Sequence, residues 1–427
     1  MKRVLMVCFH FPPLAGSSGI QRSLRFAQHL PESGWQPLVL TAHPRAYERI
    51  SADLEGEVPA DTVVERAFAL DTARHLSLGG RYVGAMARPD RWVSWKFDAV
   101  RRGLRMVRRC KPDVIWSTYP IATAHLIGAA LHARSGIPWV ADFRDPMAQP
   151  GYPADPLTWR QYDRIEAHAL RHAAWSSFTT PGAAREYRHR YPASAGRVVV
   201  IENGYDEASF SALAADDAAA AGPLNPGRVT LLHSGIVYPQ ERDPTQLFEA
   251  LRLLRDAGRL RPQDVVLRFR ASVHDELLQR LAAERGVSAF VETCPPVDYK
   301  DALREMLRAD ALLVMQASNC NDQIPGKIYE YLRAGRPILC LSDPQGDTVS
   351  VLRAAGIDTC ARLDSAPEIA EALHAFVSAT RQGTAPLPER AFVDGASRRG
   401  RTGALAGLLD AATLRPGVVH EPLAPAR

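Results

Sequence analysis

Short apolar runs alternate with stretches of helical period along most of the chain, a pattern that predicts parallel sheets covered by helices. In the first half, Val4–Phe9, Pro37–Thr41, Val63–Ala67, Val114–Ser117, Trp139–Asp142, Ser177–Thr180 and Val198–Ile201 read as strands. Between them, Ile20–Leu30, Lys96–Arg109, Ala122–Ser135, Pro156–Ala173 and Ala183–Tyr191 read as helices. From Ser209 the composition shifts to Ala, Asp, Gly and Pro, as in a linker. A second alternation follows, from a strand at Val229–Ser234 through a strand at Ala311–Met315 to helices at Asp347–Ala355 and Ala366–Thr380.

Helical pattern resumes near Gly395–Leu414, and a Pro-rich stretch from Pro416 reads as disordered. The expected division is therefore a doubly wound domain over 1–207, a linker over 208–227, a second doubly wound domain over 228–387, a helical segment over 388–415 and a disordered tail over 416–427. Two such α/β domains would leave a cleft between the carboxyl ends of their sheets, where ligands bind in folds of this type.

The length of 427 residues agrees with two domains, and a formal charge of +5 is too mild for general nucleic-acid binding. The charge is unevenly placed. Between Arg74 and Lys111 eleven cations stand against Asp90 and Asp98, with Tyr82, Met86, Trp92, Trp95 and Phe97 interleaved. This is a local basic patch, a solvated helix face unless the protein works at an anionic membrane surface or on a lipid-diphosphate acceptor. Six cysteines without metal spacing read as reduced thiols of a cytoplasmic protein, and no metal site is expected. The apolar start is broken by His10-Phe11-Pro12-Pro13 and reads as a core strand rather than an export signal. No apolar run reaches the roughly 20 residues of a spanning helix, so any membrane contact would be peripheral.

The richest segment is Asp322-Gln323-Ile324-Pro325-Gly326-Lys327-Ile328-Tyr329-Glu330, followed by Gly335 and Pro337. Pro325-Gly326 marks a turn, and Gly335 then Pro337 stop the helix that begins near Lys327. The free N–H groups of such a helix start favour an anion, Gly326 lets a phosphate approach the backbone, and Lys327 adds charge. Glu330 lies one turn on, where a carboxylate can accept bonds from two vicinal hydroxyls such as those of a ribose. Alone, the segment also fits a capped surface helix.

Four further segments carry candidate chemistry. Gly16 and Gly19 lie in a loop that opens the first helix and can hold phosphate or sugar; the loop lacks the Gly-x-Gly-x-x-Gly spacing of dinucleotide dehydrogenases. Asp142-Phe143-Arg144-Asp145 ends a strand, and reads either as groups positioning a sugar or its phosphate or as an internal Arg–Asp pair bracing the loop. Glu202-Asn203-Gly204 is a tight turn. Ser234-Gly235 ends the first strand of the second half, and Arg242 precedes a helix, where a guanidinium can pair with diphosphate oxygens or with Glu241 or Asp243.

In order along the chain, these motifs resemble those of retaining GT-B glycosyltransferases of the family 4 type, especially bacterial enzymes of cell-surface polysaccharide assembly. The resemblance implies two Rossmann-like domains facing across a cleft, with the acceptor on the first, the nucleotide sugar on the second, and the 388–415 segment crossing back to the first. It implies no cofactor beyond the donor substrate, no metal, and a glycan or lipid-diphosphate-linked acceptor, at the inner face of the plasma membrane. Glu330 would bind the ribose, Arg242 and Lys327 would neutralise the leaving diphosphate, and Gly16, Gly19, Ser234, Gly235, Pro325 and Gly326 would line the donor site. Asp322 stands where glutamate is usual, Arg144-Asp145 where His-Asp is usual, and Ile236 where a basic residue is usual. Two other readings stay open: a nucleotide-sugar epimerase, which shares the fold and needs no acceptor, and, from Asp322, Ile236 and the basic patch, a non-catalytic scaffold in polysaccharide assembly.

Overall fold

The computed structural model describes residues 1–17, 19–52, 54–215 and 222–414. The expected tail over 416–427 and part of the expected linker lie outside them. The chain divides into two units, the first comprising Met1–Asn203 with residues 398–414, the second Gly204–Ser397.

In the first unit, β1 (Lys2–Val7), β2 (Trp35–Ala42), β3 (Val63–Ala67), β4 (Val114–Thr118), β5 (Trp139–Arg144), β6 (Trp175–Phe178) and β7 (Val198–Val200) form one sheet. Its order is β3-β2-β1-β4-β5-β6-β7, and every pairing is parallel. Successive strand side chains alternate between its faces. Leu5, Val7 and Ile115 pack on one face with Trp95, Met106 and Ile127, while Val4, Met6 and Trp116 pack on the other with Leu24, Phe26 and Leu409.

The second unit repeats the plan with β8 (Val229–Ser234), β9 (Val265–Arg270), β10 (Val291–Cys294), β11 (Ala311–Met315), β12 (Ile338–Leu341) and β13 (Cys360–Ala361), ordered β10-β9-β8-β11-β12-β13 and again parallel. Leu231, Leu313 and Leu339 face Phe248, Leu251 and Phe376, while Leu232, Val314 and Cys340 face Met306, Ile328 and Leu352. In both units the strand order reverses beside the first strand, at β1/β4 and at β8/β11. Those switch points open a crevice at the carboxyl ends of parallel strands.

The ends of the expected domains differ in the structure. The stretch expected to be a linker over 208–227 begins inside a helix, Glu207–Ala215, whose Phe210 and Leu213 are buried in the second unit's core. Arg333 grips Glu207 through two bonds of 2.6 Å. Two large apolar side chains three residues apart make a helical face that the surrounding alanines disguise. The segment expected over 388–415 divides between the units. Arg390–Gly395 belongs to the second, with Val393 and Ala396 in its core. The Arg398–Thr413 helix belongs to the first, where Leu405, Leu408 and Leu409 pack with Val4 and Trp35. Asp410 accepts bonds from Lys2 Nζ at 2.8 Å and Trp35 Nε1 at 3.2 Å.

Candidate functional site

In the second unit, the loops after β8 and β11 gather most of the expected donor residues. Ile328 N donates to Pro325 O at 3.0 Å, closing the turn that starts the Lys327–Ala334 helix, and Gly335 ends it at a φ of +66°. The preceding loop is pinned from beneath: Gln316 Nε2 donates to Cys320 O at 2.6 Å and to Gln323 O at 3.0 Å. Lys327 Nζ folds back over the end of β8, 3.2 Å from Ser234 O and 3.0 Å from His233 Nε2. His233 is fully buried, and its Nδ1 lies 3.1 Å from Leu313 O. A ring that donates from Nδ1 leaves Nε2 as an acceptor, so His233 is a neutral seat for the lysine. Burial first, and the lysine charge second, hold His233 well below its ordinary pKa.

Arg242 completes this cluster. Its Nη1 donates to Ile236 O at 2.8 Å, its guanidinium carbon stands 5.1 Å from the Tyr238 ring centroid, and its Nε has no hydrogen-bond partner. Neither Glu241 nor Asp243 pairs with it; Asp243 instead caps Thr245 N at 2.9 Å. Among the described residues, no carboxylate lies within ion-pair distance of Lys327 or Arg242. Burial, then the charge of Arg242, pulls Lys327 well below the ordinary lysine pKa, and Glu330 opposes that shift. Two neighbouring cations on neutral acceptors, at the start of a helix, make a site electrostatically prepared for an anion.

Gly235 borders the ammonium at a φ of +115°, and a Cβ added there would lie 3.8 Å from Lys327 Nζ. Ser234 contributes its backbone, with its N–H donating to Tyr331 Oη at 2.8 Å. Gly326 is exposed and has open space at its Cβ position. Glu330 is held by Tyr299, whose hydroxyl donates to Oε1 at 2.9 Å. Asp322 is an exposed residue of the loop before the helix, five positions ahead of Lys327.

The first unit assembles a separate cluster at its own switch point. Arg144, the last residue of β5, adopts a φ of +62°, a costly conformation for a residue with a side chain. Its Nη1 donates to Tyr119 O at 3.3 Å, and its Nε is buried without a partner. Burial lowers its pKa, a shift that Asp145 opposes. Asp145 is exposed and makes no ion pair with Arg144; its Oδ1 accepts from Thr179 Oγ1 at 3.4 Å. The internal Arg–Asp brace considered for this loop does exist, but it joins Arg22 to Asp142. Arg22 Nε and Nη2 bond the two carboxylate oxygens at 2.9 and 2.8 Å, and Thr118 and Ser177 hydroxyls complete the shell. Asp142 is therefore fully engaged, and Arg144 is left facing the loop after β1.

In that loop, Ser17 Oγ accepts from Gly19 N at 3.2 Å and lies 3.0 Å from His10 Nδ1. A neutral ring can accept the serine hydrogen at Nδ1 and then carries its own hydrogen on Nε2, or donate from Nδ1 to the serine's second lone pair. Burial, with Arg144 second, holds His10 down at about 4, so the ring is neutral. A Cβ on Gly19 would lie 2.7 Å from Arg144 Nη1 and closer still to His10 Nδ1. Gly16 has a φ of +79° and lines a cavity of about 250 Å³ with His10, Ser17, Tyr47, Arg49 and Trp92.

The basic stretch over 74–111 is partly neutralised within the first unit. Arg88 pairs with Asp155, Arg91 with Asp71, and Arg101 and Arg102 with Asp98. Arg81, Arg105, Arg108, Arg109 and Lys111 remain exposed, together with Leu78 (89%), Val83 (64%) and Phe97 (77%). Among the described residues, no helix is long and apolar enough to cross a membrane, and no group of three or more His, Cys, Asp or Glu is placed to hold a metal ion.

Sequence reasoning passed over His10, His233 and Tyr299. The two histidines looked ordinary because neither has a metal-ligand partner at short spacing, yet each ends or follows the central strand of its sheet, where switch-point residues fall. Tyr299 reaches Glu330 across 31 positions, and no local pattern marks it.

Residues 18–204 match the family model described as a glycosyl transferase 4-like domain. A crystal structure of the Anabaena protein HepE in complex with UDP is similar at a TM-score of 0.57 and 14% identity, covering 97% of this chain and 98% of that one. The apo lipopolysaccharide outer core galactosyltransferase WaaB is similar at 0.59 and 10%, covering 96% and 99%. The N-terminal domain of trehalose-6-phosphate phosphatase from Candida albicans is similar at 0.65 and 14%, covering 96% and 99%. The fold is GT-B. No curated protein matches the chain by sequence. Within this GT-B chain, the family match falls on the first unit, whose loops hold His10, Gly19 and Arg144, and the Lys327 cluster lies beyond it, in the second unit.

Proposed function

We propose that this protein is a glycosyltransferase that moves a sugar from a nucleotide-sugar donor to a glycan or lipid-linked acceptor, with retention of anomeric configuration. The observation that carries the reading is the pair of cations Lys327 and Arg242, seated on neutral acceptors at the start of a helix. The arrival of a diphosphate would relieve their mutual repulsion and bring Lys327 back toward its ordinary pKa.

In this reading the diphosphate sits against Lys327, Arg242 and the N–H groups of the Lys327–Ala334 helix, beside Gly235, whose φ of +115° disfavours a side chain. Glu330 accepts the ribose hydroxyls, and Asp322 meets the donor sugar through one methylene fewer than a glutamate would offer. As the bond from sugar to phosphate breaks, negative charge grows on the departing oxygen, and fixed cations stabilise that charge more than the ground state. The departing phosphate takes the acceptor's proton while the acceptor oxygen attacks the same face of an oxocarbenium-like sugar. This balances the exchange without a protein nucleophile or a metal. In the first unit, Arg144, the His10 ring and Ser17 Oγ can donate to oxygens of a bound sugar or phosphate, and Asp145 stands exposed next to Arg144.

The UDP complex of HepE and the further HepE complex with UDP and glucose support a nucleotide-sugar donor. WaaB, named as a lipopolysaccharide galactosyltransferase, supports an acceptor of the cell-surface polysaccharide class. The exposed arginines and apolar side chains over 74–111 fit a peripheral contact with an anionic cytoplasmic membrane face. Flotation with anionic but not neutral vesicles is the result expected there; equal behaviour with both would remove that part of the reading.

The test of the activity is nucleotide release from a panel of UDP-, GDP-, ADP- and dTDP-sugars with lipid extract as acceptor source, followed by determination of the product's anomeric configuration. Release that needs acceptor, retains configuration and disappears in Lys327→Ala and Glu330→Ala is expected. Release unchanged in both variants would sink the donor site, and an isomerised donor formed without acceptor would favour an epimerase.

A further inference from the structure

Tyr299 opens the helix Tyr299–Arg308, which packs beside the Lys327–Ala334 helix in the second unit. Its hydroxyl lies 2.9 Å from Glu330 Oε1. A carboxylate has no hydrogen to give, so the phenol donates, and the bond is of the charge-assisted kind. Tyr299 is 44% exposed, a setting in which a surface tyrosine gains little by burying its ring.

The placement of this phenol is fixed from two directions. Arg270 Nη1 donates to Pro295 O at 2.6 Å, anchoring the loop that leads from β10 into the helix. The same guanidinium binds Glu305, farther along that helix, through Nε at 2.7 Å and Nη2 at 2.6 Å. Loop and helix are thus tied to one arginine at the end of β9, and Leu303 and Met306 of the helix are buried in the core that also holds Ile328 and Leu332. A glutamate side chain has three rotatable bonds and loses considerable entropy when ordered. Held at one oxygen by a group on a rigid neighbour, its carboxylate is restrained before any ligand arrives.

Resting on the proposed reading that Glu330 accepts the ribose of a nucleoside diphosphate, we infer that Tyr299 is a positioning residue for ribose recognition. It orients the Glu330 carboxylate so that the vicinal 2′- and 3′-hydroxyls can be bonded together, and it makes the site prefer ribonucleotides over 2′-deoxyribonucleotides. Tyr299→Phe leaves the Glu330 side chain in place, and with it the diphosphate contacts of Lys327 and Arg242, so its effect is read on the ribose.

The test is a calorimetric titration of the full chain with the ribo and 2′-deoxy forms of UDP, GDP and ADP, using wild type, Tyr299→Phe, Glu330→Gln and the double variant, with a thermal melt of each. Removing one charge-assisted bond is expected to weaken ribonucleotide binding about five- to tenfold in Tyr299→Phe and to leave 2′-deoxy binding within about twofold. The ribo-to-deoxy ratio should fall toward one, and Tyr299→Phe should add nothing in the Glu330→Gln background. A ratio unchanged in Tyr299→Phe, whether both affinities hold or both fall together, would overturn the inference while leaving the nucleotide site intact. Wild type binding none of the six nucleotides would overturn the site and this inference with it.

Discussion

Gly19 shows how a single residue's geometry can outweigh its propensity. As the first residue of the Gly19–His29 helix it would ordinarily gain up to about 1 kcal/mol from replacement by alanine. Yet a Cβ there would press on His10 and lie 2.7 Å from Arg144 Nη1, and overpacking of that kind costs about 1–3 kcal/mol. Gly19→Ala is therefore expected to lower the melting temperature, and to cut transfer further by displacing both side chains. Gly403→Ala, an exposed helical position with open space around its Cβ, should be neutral or stabilising. A Gly19→Ala protein as stable and active as the Gly403 variant would contradict the His10–Arg144 arrangement. Residues of this kind are only partly legible in a sequence. The turn, the helix start at Lys327 and the Glu330 carboxylate one turn on could be read, because they are local features. Arg22 and Asp142 are 120 positions apart, so the assignment of the buried ion pair to Arg22, which leaves Arg144 unpaired, needed coordinates.

At the scale of elements, the central strands and long helices announce themselves through periodicity because each buries one face or both. The Glu207–Ala215 helix did not, since its two large apolar residues sit in an alanine-rich stretch that reads as a spacer. The two-residue β13 is too short to carry any pattern. The Arg398–Thr413 helix is periodic, but which core it joins is not written in its own sequence. The structure gives that core as the Val4, Met6 and Trp35 face of the first sheet. Leu409 is fully buried there, and Leu409→Ala should cost about 2–5 kcal/mol, by the loss of apolar transfer free energy and the cavity left behind. The readout is the urea midpoint of the first unit's transition. A shift worth less than about 0.5 kcal/mol, typical of surface sites, would place the helix outside the core.

The whole molecule is one architectural idea used twice: a parallel sheet whose strand order reverses beside its first strand, with the candidate site residues on the loops at that reversal. Alternating strands and helices made this plan legible, because a parallel sheet covered on both faces imposes long apolar runs and obligatory crossovers. The sequence could not reveal how each cluster is held: the neutral histidine beneath Lys327, the phenol on Glu330, and the strained Arg144 at the end of β5. In the proposed function the second unit carries a nucleoside diphosphate on Lys327 and Arg242, which make no ion pair among the described residues. Calorimetric titration with UDP, GDP and ADP tests it most directly, on wild type, Lys327→Ala and Arg242→Ala. At least one nucleotide is expected to bind, and either substitution to weaken it at least about tenfold, as for loss of a charge-assisted contact. Binding of none of the three, or binding undiminished in both variants, would contradict it.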